Sequence, residues 1–234
     1  MNDRKPGLIA RFVRPQSVRR VLHPAWFGTL RRTTPLSQHW GSDRGTPVDR
    51  HYIRSFLAEH RADIHGSVLE VRDSRYTNDF GSEVTRADVL DIDGANPNAT
   101  IVADLAAAGC IPSETFDCFI LTQTLQFIFD VRTAITHTHR VLRSGGVLLC
   151  TVPAVSRINR GYIDSEHWRF TSASCRRLFG ECFGADRITV RDYGNVLTGI
   201  SLLAGIAAEE LSSAELATHD EYFPTLVAIR AVKA

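Results

Sequence analysis

The segment GYIDSEHWRFT, residues 161–171, gathers an imidazole and two carboxylates at His167, Asp164 and Glu166. Such groups take a proton from an acceptor in general base catalysis, and the imidazole suits the role best because its charge changes near neutral pH. Trp168 and Arg169 follow directly and can shape a pocket around the base. His137 and His139 form a second pair, but two positions apart on a helix they face different ways, so no joint role is expected. The five cysteines contain no CxxC pair and mostly sit in apolar runs. They read as buried thiols in a reducing cytoplasm, and no metal site is expected.

A second stretch raises a different chemistry. In VLEVRDSRYTNDFG, residues 68–81, a short apolar run ends where a nucleotide-binding chain would place a glycine-rich turn, yet the next glycine is Gly81. Both stretches need a scaffold, and the patterning supplies one. Apolar runs at 67–71, 88–92, 100–102, 116–121, 147–152, 187–190 and 225–232 predict strands. Helical patterns lie between several of them, so the fold class is α/β with a mostly parallel sheet covered on both faces. Tyr52, Ile53, Phe56 and Leu57 recur at helical spacing, which predicts a helix from about Pro47 to His60.

The clearest unit is FDCFILTQTLQFIFDVRTAITHTHRVLRSGGVLLCTVP, residues 116–153. Here a strand leads to a helix capped by Asp130, with Val131, Ala134, Ile135, Thr138, Val141 and Leu142 on one face, and Gly145 is expected to stop it before the next strand. This is one right-handed β-α-β crossover.

This unit, with HWRFTSASCRRLFGECFG after it, resembles the later blocks of class I S-adenosylmethionine-dependent methyltransferases. The resemblance implies a Rossmann-like methyltransferase fold, a mostly parallel seven-stranded sheet with an antiparallel last strand and helices on both faces. It divides the chain into a basic N-terminal extension, residues 1–44, and a single methyltransferase-like domain, residues 45–234. It also implies S-adenosylmethionine as cofactor, S-adenosylhomocysteine as product, and a cofactor lying across the carboxyl ends of the first four strands. By that resemblance Glu70 ends the first motif, and Asp91 or Asp93 is the ribose-binding acid. Asp104, beside Leu105, faces the adenine amine, and Thr122 and Gln123 form the loop after the fourth strand. A carboxylate suits ribose hydroxyls and an exocyclic amine because it only accepts hydrogen bonds. Asp104 can equally be a helix N-cap.

Aligned on Glu70, the superfamily's three glycine positions carry Arg72, Ser74 and Tyr76. The cofactor has no pyrophosphate to cradle, so glycine is less strictly required than in dinucleotide sites. Arg72 can pair with the methionine carboxylate, and Glu70 and Asp73 can compensate the amino group. Asp73, Arg75 and Tyr76 are expected to meet the methionine end in place of glycine backbone. DRGTPVDRHYIRSFL and the YTNDFG ending also resemble a narrower group of methyltransferase-like proteins often found beside or fused to glycosyltransferases. That resemblance implies a small polar acceptor, a sugar or a glycosylated secondary metabolite. The segment GSDRGTPVDRHY precedes strand one, where Arg44, Asp49, Arg50 and Tyr52 can form a lid over the cofactor, with Tyr52 in contact with the acceptor, or equally a purely structural cap.

Other partners are excluded or left open by composition. The formal net charge of +1 hides a basic arm, in which Arg4, Lys5, Arg11, Arg14, Arg19, Arg20, Arg31 and Arg32 face only Asp3. No basic stripe lies elsewhere and no Pro-Pro-Tyr motif follows the fourth strand, so nucleic acid is not an expected partner. No apolar core follows the N-terminal charges, so no secretory signal is expected, and residues 196–208 are too short to span a bilayer. That apolar run is accounted for equally by a homodimer interface and by burial within the monomer.

Overall fold

The computed structural model describes residues 25–234. Most of the basic arm therefore lies outside the described residues. Residues 25–34 contain one 3-10 turn, Gly28–Leu30. The compact body is Pro35–Ala234.

That body is built from β1 (Gly66–Val71), β2 (Val84–Asp91), β3 (Ile101–Val102), β4 (Phe116–Thr122), β5 (Leu142–Pro153), β6 (Ile188–Tyr193) and β7 (Leu226–Val232). The helices are α1 (Val48–Glu59), α2 (Arg75–Phe80), α3 (Val131–Val141), α4 (Ser172–Phe183), α5 (Val196–Ala204) and α6 (Ser213–Ala217). The strands form one sheet in the order β3-β2-β1-β4-β5-β7-β6. β7 runs antiparallel to both β5 and β6, while β1 through β5 pair in parallel. This is the Rossmann-like methyltransferase fold expected from the sequence, with the antiparallel last strand.

The unbroken apolar runs follow from burial on both faces. Side chains alternate along a strand, so successive residues enter opposite layers. Leu69, Phe119, Leu121, Leu148 and Cys150 pack with Ala134, Ile135 and Phe179 from α3 and α4. Their neighbours Val68, Cys118, Ile120, Val147 and Leu149 pack on the other face with Ile53, Phe56 and Leu57 of α1. Neither face is left for water.

Two boundaries differ from the sequence expectation. α3 stops at Val141, and Leu142 opens β5 by pairing with Phe116. The helix thus ends before Gly145, because strand pairing captures Leu142 and a bulge then carries the chain through Gly145 at φ +80°. Cys110 is exposed, unlike the buried Cys118, Cys150 and Cys175. The apolar run in α5 is split, with Leu202 buried and Val196, Ile200 and Leu203 facing solvent. Among the described residues, no helix is long and apolar enough to cross a membrane.

Phe119 is fully buried at the centre of the first layer. Phe119→Ala should cost about 3–5 kcal/mol of unfolding free energy in denaturant titration, with the denaturant slope unchanged.

Candidate functional site

The site begins at the carboxyl end of β1. Glu70 is 2% exposed, and its carboxylate accepts hydrogen bonds from the Tyr76 amide at 3.0 Å, the Thr77 amide at 2.8 Å and the Thr77 hydroxyl at 2.7 Å. It thereby binds the first amides of α2 and fixes the turn between them. Within that turn Arg72 has φ +74°, in the left-handed region. Its amide donates to the Leu90 carbonyl at 2.9 Å, and its carbonyl accepts from the Asn96 side chain at 2.7 Å.

The other two glycine positions need no such backbone. Ser74 has φ −102°, and Tyr76 lies within α2. Only the first position demands a left-handed residue, and there a side chain costs about 1–2 kcal/mol over glycine. Two hydrogen bonds to its backbone groups hold Arg72 in that conformation.

At the end of β2, Asp91 accepts from the Asp93 amide at 3.0 Å and from the Asn96 amide group at 2.6 Å. Asp93 accepts from the Ala95 amide at 2.8 Å, so it shapes the following turn. After β3, Asp104 caps the 3-10 turn Leu105–Cys110 by accepting from the Ala106 amide at 2.8 Å through Oδ1. Its Oδ2 accepts nothing from the described residues.

The loop after β4 repeats the device seen after β1. Gln123 has φ +49°, its amide donates to the Thr151 carbonyl at 2.8 Å, and Gln126 donates to its carbonyl at 2.9 Å. The Gln123 side-chain nitrogen is buried without a partner among the described residues. From α1, Arg50 donates to the Tyr76 hydroxyl at 3.2 Å. Burial opposes the Arg50 charge, but Asp49 and Tyr76 outweigh it and raise the guanidinium above its ordinary value.

These loops enclose a cavity of about 1000 Å³, within the range of small-molecule sites. From the β1 side Glu70, Arg72, Asp73 and Tyr76 line it, and from β2 Asp91 and Asp93. Asp104 and Leu105 line it after β3, and Thr122 and Gln123 after β4. Phe127, Phe129, Asp130, Asn159 and Tyr162 complete the wall. Among the described residues no group of three or more His, Cys, Asp or Glu could hold a metal ion.

The residues expected to act as bases lie elsewhere. Glu166 is tied up, accepting from the Asn159 amide at 2.7 Å and pairing with Arg169 at 2.8 Å. Asp164 is exposed outside the cavity. His167 is also exposed outside it, with its ring edge-on to Phe129 at 5.3 Å and its amide donating to the Gln126 carbonyl at 2.7 Å. Trp168 stacks on Phe129 at 5.8 Å, and Arg169 gathers the Ser156 and Arg157 carbonyls. Tyr52 lies in the core, donating to the Leu216 carbonyl at 3.0 Å, because its position on α1 faces the sheet layer and not the cavity.

Of the expected lid residues only Arg50 lines the cavity, while Arg44 pairs with Glu210 and Asp49 accepts from the Arg50 amide at 2.9 Å. Asn96 and the aromatic residues Phe127, Phe129 and Tyr162 were not singled out from the sequence. The signal for Phe127 and Phe129 was the apolar LQFIF shortly after a strand's carboxyl end, a place where an α/β fold binds ligands, and nothing in the sequence marked Asn96 or Tyr162.

Residues 63–150 match the family model described as a methyltransferase domain. No curated protein matches the sequence. Among solved structures, an S-adenosylmethionine-dependent methyltransferase from Archaeoglobus fulgidus is similar at TM-score 0.52 and 12% identity, covering 79% of this chain and 94% of that one. A Galdieria sulphuraria protein provisionally assigned as a sarcosine dimethylglycine methyltransferase is similar at TM-score 0.54 and 14% identity, covering 80% and 90%. The complex between the Haloferax volcanii Trm112 methyltransferase activator and a provisionally assigned methyltransferase gives TM-score 0.53 at 16% identity, covering 80% and 92%. At these identities the likeness is one of fold.

Burial outweighs the three donors and pushes the Glu70 carboxyl up from 4.5 to about 6, so the folded state holds this proton more tightly than the unfolded chain does. Its contribution is full below pH 4.5 and is lost as the pH rises through about 6. Relative to Glu70→Gln, which cannot titrate, the native protein should lose about 2 kcal/mol of stability across that window in parallel urea titrations.

Proposed function

We propose that this chain, which carries a class I S-adenosylmethionine-dependent methyltransferase domain, moves a methyl group by in-line displacement onto an oxygen or nitrogen of a small polar acceptor. A sugar or a glycosylated secondary metabolite is the acceptor class favoured by the DRGTPVDR and YTNDFG motifs. The observation that carries the reading is the cavity at the carboxyl ends of β1 to β4, with Asp91 and Asp104 at the ends of β2 and β3.

The cofactor supplies an electrophilic methyl group on a sulfonium. The side chains around the cavity fit its polar groups. Asp91 accepts from ribose hydroxyls, and the free Oδ2 of Asp104 suits an adenine amine. Ile92 and Leu105 offer apolar contact between them. Arg72 lines the cavity beside Asp73, where it would pair with the methionine carboxylate, and the buried side-chain nitrogen of Gln123, without a partner among the described residues, is a donor suited to an acceptor atom.

With His167 packed behind Phe129 and Glu166 paired to Arg169, rate acceleration rests mainly on holding the acceptor at attack distance. Asp130 is a weak substitute base, because the Thr133 hydroxyl and amide hold its carboxyl below the usual range. A second reading, a methyltransferase-fold binding or assembly partner without turnover, is motivated by Arg72 standing where glycine is usual.

Calorimetric titration with S-adenosylmethionine and S-adenosylhomocysteine separates these readings. Asp104→Asn keeps the N-cap oxygen but removes the charge, and it should weaken both ligands about tenfold without loss of stability. Arg72→Gly should weaken both ligands equally, since both carry the carboxylate. If it tightens S-adenosylmethionine alone, Arg72 repels the sulfonium instead. Binding to the native protein with no methyl gain on any acceptor would favour the second reading.

A further inference from the structure

The cavity is chemically divided. Its arginines, Arg50, Arg72 and Arg75, belong to α1, the β1 loop and the first position of α2, and Asp91 and Asp93 to the end of β2. The wall after β4 carries Phe127, Phe129 and, from the segment after β5, Tyr162. Among the described residues, the only charge lining that wall is Asp130, already engaged by Thr133.

The aromatic wall is held in place and left uncovered. Phe129 is 71% exposed and Tyr162 is 52% exposed, although a large apolar side chain gains by leaving water. Phe129 stacks on Trp168, whose indole nitrogen donates to the Ile128 carbonyl at 3.1 Å and whose amide shares the Gln126 carbonyl with His167. Phe127 and Tyr162 meet at 5.0 Å between ring centres. Phe129 thus rests on an indole fixed by backbone bonds, and Phe127 and Tyr162 brace each other, before any ligand arrives, which lowers the ordering cost of binding.

Among the described residues, no arginine or lysine lines this wall. Arg157 lies 3.7 Å over the Trp40 ring, Arg160 donates to Gln38 at 2.9 Å, Arg169 pairs with Glu166, and none of the three lines the cavity. A phosphate or carboxylate would be desolvated there beside Asp130 without compensation.

We propose that the Phe127, Phe129 and Tyr162 edge is the acceptor subsite, shaped for an uncharged ring that lays an apolar face on aromatic side chains. Which ring it takes rests on the methyl-transfer reading above, whereas the preference for an uncharged ring face does not. A pyranose, through its axial C–H groups, and an arene share this chemistry, and anionic acceptors are rejected.

The test is saturation-transfer NMR on the full chain with and without S-adenosylhomocysteine, using methyl β-D-glucopyranoside, phenol and glucose 6-phosphate as probes. Saturation should reach the ring protons of at least one uncharged probe, identifying the ring type, and should be several-fold weaker for the phosphate. Phe129→Ala and Tyr162→Ala, both at exposed positions, should each reduce binding roughly two- to tenfold while leaving the melting temperature unchanged. No transfer to either uncharged ring, equal transfer to the phosphate, or indifference to both substitutions would overturn the subsite. Failure of S-adenosylhomocysteine to bind in calorimetry, with ring binding intact, would instead sink the methyl-transfer reading alone.

Discussion

The site depends on one buried carboxylate. Glu70 sits at the end of β1 with its oxygens on the amides of Tyr76 and Thr77 and on the Thr77 hydroxyl. That arrangement sets where α2 begins, and hence where the chain between them must turn. It also places Tyr76 where Arg50 can reach its hydroxyl from α1. The burial is costly, as the raised carboxyl shows, and only the three donors make it tolerable. A left-handed turn is ordinarily made with glycine, and here a side-chain anchor beyond the turn dictates its path.

The same solution appears twice along the cavity. At Arg72 the amide extends the ladder to Leu90 of β2, and at Gln123 the amide extends the ladder to Thr151 of β5. Each residue then leaves its strand in the left-handed region without being glycine. Each carbonyl is held by a side-chain amide, Asn96 in one case and Gln126 in the other. Strain of this kind persists only when the surroundings over-determine it, and it gathers at binding sites. The two strands are neighbours, so both strained turns open onto one cavity.

Much of this was legible in the sequence. The seven apolar runs became the seven strands, and the helical spacing of Tyr52, Ile53, Phe56 and Leu57 became α1, because periodicity reports which faces are buried. The acids at the strand ends could be placed because a strand's carboxyl end is a topological position, countable along the chain. The positions of His167, Asp164 and Glu166 could not be read the same way. They sit in a long connection whose path is set by partners such as Asn159, Gln126 and Ser156, and adjacency in sequence says nothing about which of them turns inward. Tyr52 misled for a simpler reason: a helix residue that is apolar enough to meet a ligand is also apolar enough to be core.

The placement of α1 shows how distant segments share in building the cavity. Thr46 bonds Glu209 through both its amide and its hydroxyl, Arg44 forks onto Glu210, and Pro47 bridges to Ala207. Glu210 is drawn down to about 2, by its hydrogen bonds to Arg44 and to the Ala207 amide, so the pair stays ionised across the working pH range. A single exposed ion pair contributes little, but here it is one of several contacts fixing the same few residues. Val48, Ile53 and Leu57 then lock the helix onto the sheet, and one turn carries Arg50 to the cavity edge. The segment before α1 is therefore tied to the segment after α5, and with it the helix that brings Arg50 to the cavity edge.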